Sequence, residues 1–182
     1  MTAFTRLDTS TAADWSAIAA EHAAHYRSSA PLRIMDQLRA LGGLGLGFPC
    51  NQLQHSLMTA TLARRAGADD ETVVIALCHD VGKTLSVPNH PEIGAAVLRP
   101  YVSDDAYQAV LHHQEFQGAY YFHHFGAPTD LRERHRGASW FALCERLVDE
   151  WDMPAFDRDF TTDPLESFEP EVVRLFSQPR MM

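Results

Sequence analysis

An all-α fold is predicted by three observations. Apolar residues recur at helical spacing in several separate stretches. Those stretches are punctuated by Ser, Thr, Asn or Asp where a helix would begin and by Gly or Pro where it would end. The one segment of high β-propensity, residues 118–125 with Tyr120, Tyr121, Phe122, His123 and His124, has no second strand-like run to pair with, so it is expected to be helical or irregular. At 182 residues the chain is long enough for one domain with a full core.

In chain order, residues 11–28 offer Ser10 or Thr11 as N-cap and Asp14 as its capping-box partner, with Trp15, Ile18, Ala19, His22 and Tyr26 along one face. Pro31 is expected to open a second helix over residues 32–41, carried by Leu32, Met35, Leu38 and Leu41. Residues 42–49 are glycine-rich but lack a phosphate-loop pattern, and read as a connection that could serve as a pocket lid. A helix then runs from Asn51 towards a stop at Gly67, with His55 in its first turns.

Asp69, Asp70 and Glu71 suit the positive end of the next helix, Thr72 to Asp80, which is apolar almost all round and so should be central. His90 and Pro91 open another, and Ser103 caps one that carries Ala106, Val110, Leu111 and His113. Asp130 starts a short charged helix whose Arg132, Glu133, Arg134, His135 and Arg136 read as a solvated face. Residues 138–151 form the last long core helix on Trp140, Phe141, Cys144, Leu147, Val148 and Trp151, ended by Pro154. An acidic loop leads to a final amphipathic helix over residues 165–176, and the tail 177–182 is expected to fray.

Charge narrows the function classes. The net charge of −9 works against an extended nucleic-acid track. No window approaches a membrane span, and the first residues lack a secretion signal, which predicts a cytoplasmic protein without a membrane partner. Cys50, Cys78 and Cys144 are odd in number and widely spaced, as reduced core residues would be.

The chemistry concentrates in Leu77-Cys78-His79-Asp80-Val81-Gly82-Lys83, which holds the only lysine of the chain. An imidazole and a carboxylate at the end of an apolar helix are costly to bury without a partner. Alone, the pair could be a capped helix end. With His55, His90, His113 and an aspartate near 149–152, however, it makes six candidate ligands on several helices or helix ends. Imidazole and carboxylate donors without thiolate favour Fe, Mn, Co or Zn. Successive helical residues point about 100° apart, so a helix ending at Gly82 would let Asp80 turn inward and bridge two metals.

His55, His79-Asp80 and a later Asp form the H…HD…D signature, which resembles the HD-domain superfamily of helical metalloproteins, mostly phosphohydrolases and phosphodiesterases. Residues 51–57, 67–71, 79–82 and 90–95 are similar to the HD-domain phosphonate oxygenases, which with myo-inositol oxygenase are mixed-valent diiron enzymes. The resemblance covers residues 51–176 and implies an HD-domain helical bundle around a central dinuclear site. Residues 51–182 would form the metal-binding core, with residues 1–50 packed on it.

By position it implies metal ligands His55, His79, Asp80, His90, His113 (or His112) and Asp152 (or Asp149). Asp80 and Lys83 would be the catalytic groups, with Lys83, Gln117, His123 and His124 around the substrate. The implied cofactor is an Fe(II)/Fe(III) pair, and the implied reaction uses O₂ to cleave a C–C or C–P bond of a small hydroxylated molecule. Gln117 and Asp149 stand where the phosphonate oxygenases carry basic substrate-binding groups, which argues against a phosphonate. The alternative is hydrolysis of a small phosphate ester or nucleotide with Mn²⁺, Co²⁺ or Zn²⁺ on the same six groups.

Overall fold

A capping box between Thr11 and Asp14 starts the first helix of the computed structural model, which describes residues 4–180. That helix, α1 (Ala12–Leu41), runs unbroken through Pro31, where a second helix was expected to begin. Proline lacks the N–H for a helix-interior hydrogen bond and normally breaks the helix. Here the helix continues through it, with the Pro31 ring buried alongside Ile34, Met35, Leu38 and Leu41. Leu32 points out, 59% exposed. All five buried residues of α1 lie from Pro31 onward, so the face of Trp15, Ile18 and Tyr26 is not a core face.

Residues 42–49 turn the chain back, with left-handed backbone at Leu46 and Gly47, and the Leu44 carbonyl accepts from the Gln52 N–H. Asn51 and Gln54 make a second capping box at α2 (Gln52–Arg65). The Asp69 side chain accepts from the Thr72 N–H to cap α3 (Asp70–Cys78), in which every residue from Val73 to Cys78 is buried. Then follow α4 (His90–Leu98), α5 (Asp104–Tyr121), α6 (Phe141–Arg146) and α7 (Glu169–Phe176). Helix α3 lies at the centre, against α2, α5 and α7. Truncating a core residue there, such as Leu77→Ala, is expected to cost about 2–5 kcal/mol.

Among the described residues there is no strand, and no helix is long and apolar enough to cross a membrane. The aromatic run is helical as far as Tyr121 and then a 3₁₀ turn, Phe122–Phe125. The last long helix departs from the expected pattern: Trp140 only precedes α6, and from Leu147 to Asp152 the chain winds as a π-helix. The tail is held rather than frayed as far as Arg180, whose N–H donates to the Pro100 carbonyl and whose guanidinium meets Glu71. Residues 181–182 lie outside the described residues.

Two glycines set the approach of α4 to the end of α3. A Cβ on Gly82 would lie 2.2 Å from the His90 carbonyl oxygen, and one on Gly94 would lie 3.0 Å from the His79 carbonyl oxygen. Glycine at 82 lets the 3₁₀ turn Val81–Thr84 sit backbone to backbone on α4, and glycine at 94 eases the same approach. That contact brings His90 up to Asp80.

Candidate metal centre

Four histidines from four helical elements share one orientation. His55 lies in the first turn of α2, His79 follows α3, His90 opens α4 and His113 sits midway along α5. Their Nδ1 atoms contact the backbone carbonyls of Ala155 (3.0 Å), Ala76 (2.8 Å), Val87 (2.8 Å) and Val110 (2.7 Å) respectively. A carbonyl can only accept, so each Nδ1 carries the proton and donates it. In its neutral form each imidazole then offers Nε2 as a lone pair aimed inward, the arrangement in which protein-held imidazoles bind metals.

Two buried aspartates face these lone pairs. Asp80 Oδ1 lies 3.1 Å from His90 Nε2 and 3.6 Å from His113 Nε2, while its Oδ2 lies 3.4 Å from His79 Nε2 and 3.6 Å from His55 Nε2. Asp152 Oδ1 lies 3.0 Å from His55 Nε2 and 3.6 Å from His79 Nε2. His55, His79, Asp80, His90, His113 and Asp152 are all at most 4% exposed.

Close as these atoms are, they are not aligned as hydrogen-bond pairs: Asp80 Oδ1, Asp152 Oδ1, His90 Nε2 and His113 Nε2 are buried without a hydrogen-bond partner. His55 Nε2 and His79 Nε2 stand 3.2 Å apart, within hydrogen-bond distance of each other, and both face the centre of the cluster. Such a group could hold a cation, which would relieve orphaned buried polar atoms that cost roughly 1–3 kcal/mol each. Four imidazole nitrogens and two carboxylates fit first-row divalent ions.

The charges within the cluster lean the same way. Burial opposes a charge on His79, yet Asp80 and Asp152 push its pKa up to about 9. Burial likewise works against ionised Asp152, but His79 and His55 hold it down to about 2. Asp80 stays well below the ordinary carboxylate range despite its burial, because the His79 charge and contacts from His113 and His90 outweigh it. His113 is lowered, mainly by burial. The carboxylates are therefore ionised at neutral pH and attract positive charge.

Lys83 ends the stretch Leu77 to Lys83 with its Nζ 2.5 Å from Asp80 Oδ2 and 2.8 Å from Gln52 Oε1, and 5.6 Å from the centre of the Phe48 ring. Gln117 Nε2 donates to Asp152 Oδ2 at 2.5 Å, so it touches a carboxylate of the cluster. Two contributors carried no sequence signal: the Ala155 carbonyl, which holds His55, and Phe156, which stacks on His55 with ring centres 4.5 Å apart; Gln52, inside the resembling stretch 51–57, was not singled out for its contact with Lys83. Phe48 stacks in turn on Phe156, so the glycine-rich connection does lie over this side of the cluster.

The alternatives lie elsewhere. Asp149 pairs with Arg132 at 3.0 Å, and His112 pairs with Glu115, both away from the central atoms. His123 and His124 are exposed on the 3₁₀ turn after α5, which ends too far outward to bury either ring among the central groups. His135 is half-buried against Glu115 and Trp140 rather than on a solvated face, because the turn that carries it folds back onto α5. Cys50, Cys78 and Cys144 are free and buried, and burial pushes the Cys78 thiol up to about 12, as for inert core thiols.

A model of the HD domain matches residues 53–153, a span that begins two residues before His55 and ends one after Asp152. No curated protein matches the chain. The match covers more than half of the 182 residues and includes all six converging side chains, so the chain belongs to the HD-domain family, helical metal-dependent enzymes.

Proposed function

We propose that the chain is a diiron oxygenase that uses O₂ to cleave a C–C or C–P bond in a small hydroxylated substrate. His55, His79 and Asp152 would hold one iron, His90 and His113 the other, and Asp80 would bridge them. One observation carries the two-metal reading: the two oxygens of Asp80 face different histidine pairs, Oδ1 towards His90 and His113 and Oδ2 towards His55 and His79. The choice of oxygenase rests on the resemblance of residues 51–57 and 90–95 to the HD-domain oxygenases. In this reading residues 51–182 are the metal-binding core, and the N-terminal part, residues 1–50, meets it through the buried second half of α1.

When bound, a mixed-valent iron pair supplies O₂ activation and hydrogen abstraction. The side chains do the remaining work. The backbone carbonyls of Ala76, Val87, Val110 and Ala155 keep each imidazole in the tautomer that offers Nε2. Gln117 orients Asp152. Lys83, held between Asp80 and Gln52, presents an ammonium beside the bridge to an anionic or hydroxyl group of the substrate. Phe156 and Phe48 shield the His55 side from water.

Membership of the HD-domain family supports a second reading, hydrolysis of a small phosphate ester with Mn²⁺, Co²⁺ or Zn²⁺. Anaerobic purification followed by iron analysis and electron paramagnetic resonance separates the two. The oxygenase reading expects about two irons per chain and the signal of a coupled Fe(II)/Fe(III) pair, both lost in Asp80→Ala. Absence of that signal, together with brisk cleavage of an aryl phosphate in Mn²⁺ that is lost in His79→Ala, would establish the hydrolase instead.

A further inference from the structure

A second group of ligand-type side chains lies outside the central cluster. His112 and Glu115 sit three apart on α5, and His135 comes from the 3₁₀ turn Leu131–His135. One ligand atom from each lies within 4.8 Å of the others. His112 Nδ1 is 3.2 Å from Glu115 Oε1, and His135 Nε2 is 2.8 Å from Glu115 Oε2. Two donors bound at 2.0–2.1 Å to a tetrahedral zinc ion stand about 3.3 Å apart, so small movements of these side chains would admit one.

The surroundings are those of a built site. The His112 ring stacks on Trp140 with centres 4.9 Å apart and an interplanar angle of 11°. His135 packs against the same indole at 4.8 Å and lies near-parallel to Phe116. Aromatic walls fix both rings, yet the three side chains keep 19–33% of their surface exposed, enough for an ion to enter and for water to complete its coordination.

The turn that carries His135 is also a brace. Its Arg132 donates to both oxygens of Asp149 in the π-helix that carries Asp152. Its His135 reaches Glu115 on α5, the helix that carries His113. The turn therefore ties together two elements of the central cluster from outside.

We propose that His112, Glu115 and His135 form a separate zinc-class metal site that clamps the turn 131–135 onto α5. Two imidazoles and one carboxylate are a recurrent donor set for zinc. On binding, each imidazole offers its coordinating nitrogen as a lone pair and keeps its proton on the other ring nitrogen, and Glu115 exchanges its two hydrogen bonds for the ion.

The test is zinc stoichiometry on the full chain, loaded with Zn²⁺ and dialysed to remove weakly held ions. His135→Ala and Glu115→Ala are expected to hold about one equivalent less than the unsubstituted chain, whereas Asp80→Ala loses the central ions and keeps this one. Equal zinc in His135→Ala, Glu115→Ala and the unsubstituted chain would overturn the proposal. Unchanged zinc in Asp80→Ala would refute the central assignment alone and leave the His135 difference standing. Should a substituted chain not fold, nitrogen NMR of the unsubstituted protein with labelled histidines decides: zinc is expected to shift the ring nitrogens of both His112 and His135, and shifts confined to other histidines overturn the site.

Discussion

His112 and His113 are neighbours on α5, yet they answer to different surroundings. His113 is fully buried, its Nδ1 committed to the Val110 carbonyl and its Nε2 without a hydrogen-bond partner. His112 keeps 23% of its side chain exposed, and its Nδ1 is met by Glu115. The difference shows that the nitrogen a protein occupies decides what an imidazole has left to offer. In the central cluster all four histidines spend Nδ1 on backbone and turn Nε2 on two carboxylates. In the outer triad one carboxylate already serves both rings, so a metal there replaces hydrogen bonds rather than supplying missing ones.

The strongest way to break this contrast is at Asp80. Asp80→Ala should weaken central metal retention by more than about 100-fold, beyond the 10–100-fold typical of a residue that only orients a ligand. Turnover should fall with it, as metal analysis and any activity assay would show. His135→Ala should leave the central metals in place. If Asp80→Ala kept its central metal, the two regions would not differ in kind.

Gly82→Ala comes next. Its methyl group would meet the His90 backbone, which cannot swing aside as a side chain can, so the turn after Asp80 must lift away from α4. An overpacking cost of about 1–3 kcal/mol is expected in denaturant unfolding, together with reduced metal content because His90 would no longer reach Asp80 Oδ1. An unchanged unfolding midpoint would show that this close approach is not what seats His90.

The pH dependence of the metal-free chain should separate the regions as well. His79 is raised to about 9, so its contribution to stability is fully present below its unfolded value of 6.5 and is lost as pH rises through about 9. Asp152 is depressed to about 2, so its contribution is present above 3.8 and is lost as pH falls through about 2. The thermal midpoint should thus fall on the alkaline side between these His79 values. Bound divalent metal, which holds the imidazoles neutral, should remove that fall. An alkaline limb unchanged by metal would count against coordination through His79.

How much of this was legible in the sequence follows from distance along the chain. His55, His79, Asp80 and His90 were readable as candidates because short local patterns mark them: a helix opening at Asn51 ahead of His55, a glycine two residues after the His79-Asp80 pair and a proline after His90, in stretches that resemble the HD-domain motifs. His113 against His112 turns on which side of α5 faces inward, a long-range packing outcome. Asp152 against Asp149 was harder still. Residues three apart on an α-helix differ by only about 60° around its axis, and the wider π-helical turn that separates their surroundings leaves no apolar period of its own. The outer triad was hidden because Arg132 to Arg136 reads as a charged surface, and only the fold brings His135 against Trp140 and Glu115.

Gln117→Ala probes the support beneath the central carboxylates. It removes the hydrogen bond to Asp152 Oδ2 without removing a proposed ligand, so metal affinity should fall about 10–100-fold while helical content is retained. Affinity equal to that of the unsubstituted chain would mean that Asp152 is held in place by the histidines alone.

The smallest effect is expected at Asp149, and it discriminates most finely. Asp149 partners Arg132 in a half-exposed ion pair, and such pairs are worth about 0–1 kcal/mol. Asp149→Ala should therefore lower stability by no more than that and leave the central metals bound, because no atom of Asp149 faces His55 or His79, whereas Asp152 Oδ1 lies within 3.6 Å of both. Asp152→Ala should instead lose central metal. Because Arg132 belongs to the turn that His135 anchors, Asp149→Ala should also loosen the brace, most visibly as faster amide exchange in residues 131–135. Zinc should restore protection there if the outer triad binds it. Central metal lost in Asp149→Ala but retained in Asp152→Ala would exchange the roles of the two aspartates and place the inward face of the π-helix one turn earlier.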